Sequence, residues 1–240
     1  MKINRLNTPA AARQQRGAAS VEFYVVSFFV LIPMLMAVMQ LGLFFVAKNT
    51  VNLATFAAAR AGAASGGDRS VMRSAFANAV SPLYVAKGLS LLRSASFVDL
   101  SAGNYPVVAG GARAYSSARM LLPFNRITTL NPTRDSFADF SIPDPDSRGR
   151  IIPTTNIMTD NRIGTRSKQT RADALLLKIE VRHCYDMVLP VIDKVVGNFM
   201  LFLPGPANDK LCYAAHPSHG IPIVSQAVVR MTVPPQQNNF

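Results

Sequence analysis

The stretch FYVVSFFVLIPMLMAVMQLGLFFVA, residues 23–47, decides the fold of this chain. It contains no charged residue, and its only clearly polar side chains are Ser27 and Gln40. As a helix it would extend about 37 Å, which exceeds the ~30 Å hydrocarbon core of a bilayer. Large apolar residues occupy every face, which is rare in a buried helix of a soluble protein. We therefore predict a membrane-spanning helix over about 23–47, kinked or loosened at Pro33.

The flanking cations predict how this helix is oriented. Four cations lie upstream, and only Lys48 and Arg60 follow within about 20 residues. The upstream ones are Lys2, Arg5, Arg13 and Arg16. The sequence thus predicts a single-pass protein of a bacterial inner membrane, with a cytoplasmic N-terminus and a periplasmic C-terminal domain. Removal as an ordinary secretory signal is disfavoured, because such signals have an apolar region of only about 7–15 residues.

The net charge does not indicate a nucleic-acid partner. The formal charge is +12, from 25 Lys and Arg against 13 Asp and Glu. Several of these cations lie in the first 17 residues, and many others are scattered between 148 and 171. No basic helix with interleaved aromatic residues and no known nucleic-acid-binding motif occurs. The sequence therefore predicts that nucleic acid is not a partner.

The remainder, residues 65–240, is expected to be an exported α+β domain with a small antiparallel sheet packed on helices. The first helix should continue through Ala-rich sequence over 18–64, and a second should begin after Asp68. Strands are expected at 106–109, at 174–186 from period-two alternation, and at 221–233. A helix should occupy 187–203. Residues 123–173, which contain five prolines, are interpreted as an irregular surface loop.

Cys184 and Cys212 are the only cysteines. In an exported domain, which lies in an oxidising compartment, they favour one disulfide. The alternative is a metal site built with nearby histidines, although the spacing differs from the paired patterns of structural zinc. The histidines of that alternative are His183, His216 and His219. We expect no metal and no cofactor.

The sequence contains no catalytic signature. A GxSxG elbow, a P-loop, an HExxH helix and a dinucleotide fingerprint are all missing from it. The acidic pair Asp144 and Asp146 flanks a proline in the irregular middle, where a solvated loop is the simpler interpretation. The sequence does not predict an enzyme.

GAASVEF, residues 17–23, resembles the processing site of type IV pilin-like proteins: a basic leader, a glycine, four residues, then Glu and an aromatic residue. The resemblance implies that a prepilin peptidase cuts between Gly17 and Ala18, which removes the leader 1–17 and keeps the helix. Glu22 and Phe23 would then serve assembly, with the Glu22 carboxylate meeting the α-ammonium of a neighbouring subunit. From its position alone, Glu22 could equally be an interface residue with no further role.

NTVNLATFAAARAGA, residues 49–63, narrows the resemblance to the TadE- and TadF-like pseudopilins of tight-adherence (Tad, or Flp) pilus systems. The resemblance covers residues 13 to about 64. It implies a minor pilin that acts in pilus assembly, priming or adhesion. Its implied partners are other pilin and pseudopilin subunits, the prepilin peptidase, the inner-membrane assembly platform and membrane lipid. The alternative is an uncleaved single-pass protein whose exported domain binds an envelope partner or ligand.

Overall fold

The structure is a computed structural model of the 240-residue chain. It describes residues 18–85, 105–145, 149–155, 157, 160–187, 198, 201–202, 205–214 and 220–240. A long N-terminal helix is followed by shorter helices and a small antiparallel sheet. The expected α+β class is confirmed.

The N-terminal helix is continuous but changes pitch once. Helix α1 (Ala18–Val26) passes into a π-helical turn, Ser27–Leu31, and then into α2 (Ile32–Ala64). The backbone N–H of Ile32 donates to the carbonyl of Ser27, five residues back. Pro33 follows directly; it has no N–H, and its ring would clash with a carbonyl four residues back in a regular helix. The expected loosening at Pro33 is therefore confirmed.

The two halves of this helix differ in what covers them. Up to about residue 46 most apolar side chains are exposed, as expected for a segment that faces lipid. Beyond that point α2 buries one face at a spacing of three and four residues. That face consists of Ala47, Val51, Ala54, Thr55, Ala58, Ala59, Gly62 and Ala63. Because most of these side chains are small, the sheet and the next helix can approach the α2 backbone closely.

Helix α3 (Arg69–Val80) turns back along α2 after a glycine pair. Gly66 and Gly67 have positive φ angles of 66° and 90°, which glycine adopts without steric cost. The Asp68 carboxylate caps α3 by accepting from the Ser70 amide at 2.7 Å. The expected helix start at Asp68 is confirmed.

The main sheet has three antiparallel strands in the order β1–β4–β5. They are β1 (Arg126–Asn131), β4 (Leu176–Asp186) and β5 (Gly220–Arg230). In the central strand Leu177, Ile179 and Val181 are fully buried against the helices, and the residues between them are half-buried. The predicted alternation and both late strands are confirmed.

Two expectations on the middle of the chain are wrong. Residues 106–109 lie in a helix, α4 (Tyr105–Arg119), and not in a strand. Residues 123–173 are not one irregular loop, because they supply strand β1 of the main sheet. They also contain helices α5 (Arg134–Phe140) and α6 (Arg171–Ala174) and the short hairpin of β2 (Ile142–Pro143) and β3 (Arg150–Ile151).

Other expectations fall outside the described residues. The leader 1–17 lies there, and so does nearly all of the helix expected at 187–203. After the second of these segments, helix α7 (Ala207–Ala214) precedes β5. After β5 the chain returns to the end of α2, where the amides of Thr232 and Val233 both donate to the Ala63 carbonyl at 3.2 Å.

We predict that Gly62→Ala destabilises the protein, because a Cβ at this position would lie 2.6 Å from Met72 Sδ and 3.0 Å from Leu177 Cδ2. Overpacking of this kind costs about 1–3 kcal/mol. Gly110→Ala in α4 is the matched control, since nothing lies within 4 Å of its added Cβ. It should be neutral, or stabilising by up to ~1 kcal/mol through helix propensity. Unfolding of the full chain in detergent, followed by circular dichroism, measures both; equal stability of the two variants would contradict the tight contact.

Candidate assembly site and its supporting cluster

The candidate assembly residues lie on the first described turns of the N-terminal helix. Ala18 and Glu22 are four residues apart in α1, so their backbone positions are about one helical turn apart. Glu22 is exposed, and the Phe23 side chain is 66% exposed. Gly17, the other half of the expected cleavage site, lies outside the described residues. Glu22 therefore lies one helical turn beyond the residue that follows Gly17.

The helix beyond Glu22 offers a broad apolar surface. Its exposed side chains include Phe28, Phe29, Leu35, Leu41 and Phe45. The helix Ser20–Ala64 is long and apolar enough to cross a membrane. Lipid tails and the helices of neighbouring subunits can both contact such a surface, since both are apolar.

A buried polar cluster lies where the central strand ends. Tyr84 Oη and His183 Nε2 are 2.6 Å apart and hydrogen-bonded, and both side chains are almost fully buried. Beside them the Arg119 guanidinium donates to the Cys184 carbonyl at 2.8 Å and to the Asp186 carboxylate at 2.9 Å. The cluster ties the end of α4, the turn after α3 and the end of β4 together.

Asn125 completes the cluster from the loop before β1. Its side-chain carbonyl accepts from the Cys184 amide at 2.8 Å, and its amide donates to the Arg119 carbonyl at 2.7 Å. The Arg119 guanidinium also lies 5.6 Å from the centre of the Phe124 ring. A buried ion pair needs such additional partners to offset its desolvation. The arrangement therefore has the features of a structural cluster.

Burial holds His183 in its neutral form. It lowers the pKa of the imidazole from 6.5 to about 3, and the positive charge of Arg119 acts in the same direction while Asp186 opposes it. A charged ring would also need an acceptor at Nδ1, and none of the described residues provides one. Burial likewise raises the pKa of the Tyr84 phenol far above its ordinary value.

Cys184 and Cys212 form a disulfide that joins β4 to α7, with their Cα atoms 5.7 Å apart. Gly220, the first residue of β5, lies against the bridge, because a Cβ there would collide with both sulfur atoms. Closing a loop of this size contributes about 3–4 kcal/mol in the chain-entropy model. For the alternative metal site, both sulfur atoms are used in the disulfide, and His183 is hydrogen-bonded to Tyr84. The other two histidines of that alternative, His216 and His219, lie outside the described residues. The described part of the chain contains no group of His, Cys, Asp and Glu suited to a metal ion.

Comparison with known proteins adds one finding. Residues 17–60 match the TadE family, described as TadE-like protein. No curated protein and no solved structure matches the chain. The match confirms the TadE resemblance inferred from residues 13–64, and it associates the chain with Tad pilus systems. It covers less than a fifth of the 240 residues, so it concerns the N-terminal helix and not residues 65–240.

The sequence indicated only part of this arrangement. The TadE-like segment and the cysteine pair were both readable from local patterns. The cluster of Tyr84, Arg119, Asn125, His183 and Asp186 was not, because its members come from four separate stretches of the chain. The one available signal was the interruption of an apolar strand by a histidine, at RHCYD, residues 182–186.

The neutral His183 predicts that acid destabilises the domain. The unfolded state binds a proton near pH 6.5 and the folded state only near pH 3, so stability is full above 6.5 and falls as pH drops through this window. The loss between pH 8 and pH 5 should be about 2 kcal/mol. Denaturant unfolding at both pH values checks it, and His183→Gln, whose amide can still pair with Tyr84, should abolish most of that difference. An unchanged pH dependence in the variant would show that other groups cause it.

Proposed function

We propose that this TadE-like protein is a minor pilin or pseudopilin of a Tad pilus, processed by a prepilin peptidase and active in pilus assembly, priming or adhesion. The observation that carries the proposal is the match of residues 17–60 to the TadE family, which begins at the glycine of the proposed cleavage site. In this role the protein acts by binding other subunits and does not catalyse a chemical reaction.

The division of the N-terminal helix supports an assembly role. Its second half is the floor of the domain core, so the domain and the membrane segment form one continuous body. Its first half leaves large apolar side chains uncovered on several faces, including Phe23, Phe29 and Leu41. Packed among other pilin helices, this half would bury that surface, while the domain projects on the periplasmic side.

Cleavage after Gly17 would place opposite charges where neighbouring subunits can use them. The α-ammonium that cleavage would create at Ala18 would be about one helical turn from Glu22. In an apolar bundle an unpaired charge is costly, so a subunit whose Glu22 meets a neighbour's ammonium is favoured over one shifted along the bundle axis. The pairing thus selects axial register, and the inner-membrane platform is where such subunits would be brought together.

We predict that Gly17→Trp blocks leader removal. Cells with the peptidase should show the wild-type protein shortened by about 2 kDa, the mass of 17 residues in a 26.0 kDa chain, and the variant at full length. Gly42→Trp is the matched control, because nothing lies within 4 Å of an added Cβ at that glycine in the membrane helix. Intact mass of the membrane-extracted protein measures all three. A wild-type N-terminus at Met1, or beyond residue 47, contradicts the proposal and favours the uncleaved single-pass alternative.

We predict that Glu22→Gln is processed normally but enters pili poorly. Removing the carboxylate leaves a neighbouring ammonium unpaired among packed helices, which costs a few kcal/mol and shifts assembly many-fold. Glu22→Asp should fall between, because it keeps the charge but shortens its reach. The measurement is the ratio of this protein in sheared pili to the processed protein in membranes.

The only other glutamate of the sequence provides the control. Glu180 lies on the outer face of the sheet, where it accepts from Gln226 at 2.8 Å, so Glu180→Gln removes the same charge outside the membrane segment. It should leave incorporation unchanged. Normal incorporation of a fully processed Glu22→Gln variant would refute the charge-pairing mechanism and leave Glu22 as an ordinary interface residue.

A further inference from the structure

A cleft opens where the membrane helix meets the exported domain. Its volume is about 250 Å³. One wall belongs to α2 and the others to the turn Ser81–Tyr84 and the end of β4. The lining residues are Leu43, Val46, Pro82, Leu83, Tyr84, Tyr185 and Asp186.

The lining is mostly apolar and open to the surroundings of the helix. Leu43 is 41% exposed, and Val85, next to the lining turn, is 42% exposed. Tyr185 packs on Phe44 of α2, with 6.2 Å between ring centres. Among the described residues, these side chains form an apolar surface that runs from the helix onto the domain, and the one charged group in the lining, Asp186, is paired with Arg119.

The length of the uncharged run determines at which level of the bilayer this cleft lies. From Phe23 to Val46 the helix rises about 36 Å. A bilayer measures ~30 Å across its hydrocarbon and about 40–45 Å with its headgroups. With Glu22 at the cytoplasmic interface, Leu43 and Val46 therefore lie at the top of the periplasmic leaflet. Pro82, Leu83 and Tyr185, which share the cleft with them, lie at that same level.

Aromatic residues mark both ends of this span. Tyr24 lies near the cytoplasmic end, and Tyr185, which packs on Phe44, lies near the other. Aromatic side chains with one apolar and one polar end favour the headgroup region. Tyr185 is itself largely buried, and it forms part of the wall of the cleft at this level.

We propose that the periplasmic leaflet fills this cleft: the top of a phospholipid acyl chain lies against Leu43 and Leu83, and Val46 and the turn Ser81–Tyr84 rest in the headgroup region. The occupant is lipid because the cleft is continuous with the lipid-facing surface of the helix and lies at the depth of the leaflet. The proposal requires neither leader cleavage nor pilus assembly. According to this proposal, the exported domain contacts the bilayer surface. Two elements, the membrane helix and the turn Ser81–Tyr84, then limit the tilt of the domain.

Single tryptophans test the proposal, because the chain contains none. The full chain carrying Leu83→Trp is placed in lipid nanodiscs, one copy per disc, made with or without phospholipid brominated near the top of its acyl chains. Val228→Trp is the control, because Val228 is 51% exposed on the outer face of β5, opposite Lys178 and near the far end of the sheet. Val85→Trp is a second reporter at an exposed site, in case the first variant fails to fold.

Bromine should quench the fluorescence of Leu83→Trp and Val85→Trp at least twofold more strongly than that of Val228→Trp. Equal quenching at the three positions overturns the proposal. So does strong protection of both reporters from bromine, which would mean that solvent or protein, and not lipid, fills the cleft. Because these discs contain no other pilus component, failure here leaves the proposed pilin function untouched.

Discussion

The packing of small side chains along the second half of α2 is the interaction on which the rest of the structure depends. Ala54, Ala58 and Gly62 present almost no side-chain volume toward the sheet, so Leu177 and Ile179 of the central strand and Met72 of α3 reach the helix backbone and are fully buried there. Larger residues would hold these elements apart and open the core. Since the same helix continues into the apolar run, one packing interaction fixes both the domain's interior and its attachment to the membrane segment.

This continuity determines how the domain can move. A flexible linker would let an exported domain sample many orientations above a membrane, as polar or glycine-rich linkers do. Here Phe44 packs on Tyr185 at the last turns of the apolar run, and Ala47 is already in the core. Any rotation of the helix about its axis therefore carries the sheet with it. The rotational setting of the apolar helix therefore determines which way the surface of the domain faces.

The elements that were predicted correctly are those that depend on residues close together in the sequence. Strand β4 alternates from Leu176 to Arg182, Asp68 precedes a helix at capping distance, and the apolar run has no charged residue, so all three were predicted correctly. Helix α4 was missed because Gly110 and Gly111 resemble a turn, whereas its burial of Ala112 and Ser116 has helical spacing. Strand β1 was missed because prolines on both sides suggested a loop. Its place beside β4, about fifty residues away, depends on non-local pairing. The polar cluster around His183 was beyond reach for the same reason.

The buried cluster and the disulfide act on the same end of the sheet, and this concentration has a physical reason. β5 pairs with β4 as far as Asp186, but β1 pairs with it only as far as Arg182, so beyond Arg182 the carbonyls and amides on the β1 side of β4 need other partners. Arg119 and Asn125 satisfy the Cys184 carbonyl and amide, and the bridge to Cys212 holds α7 against the same residue. The domain is attached to the apolar helix near this end of the sheet, so forces on the domain act most strongly on the contacts there. Reinforcing that corner with a neutral histidine, a paired arginine and a covalent bond keeps the domain rigid where the helix enters it.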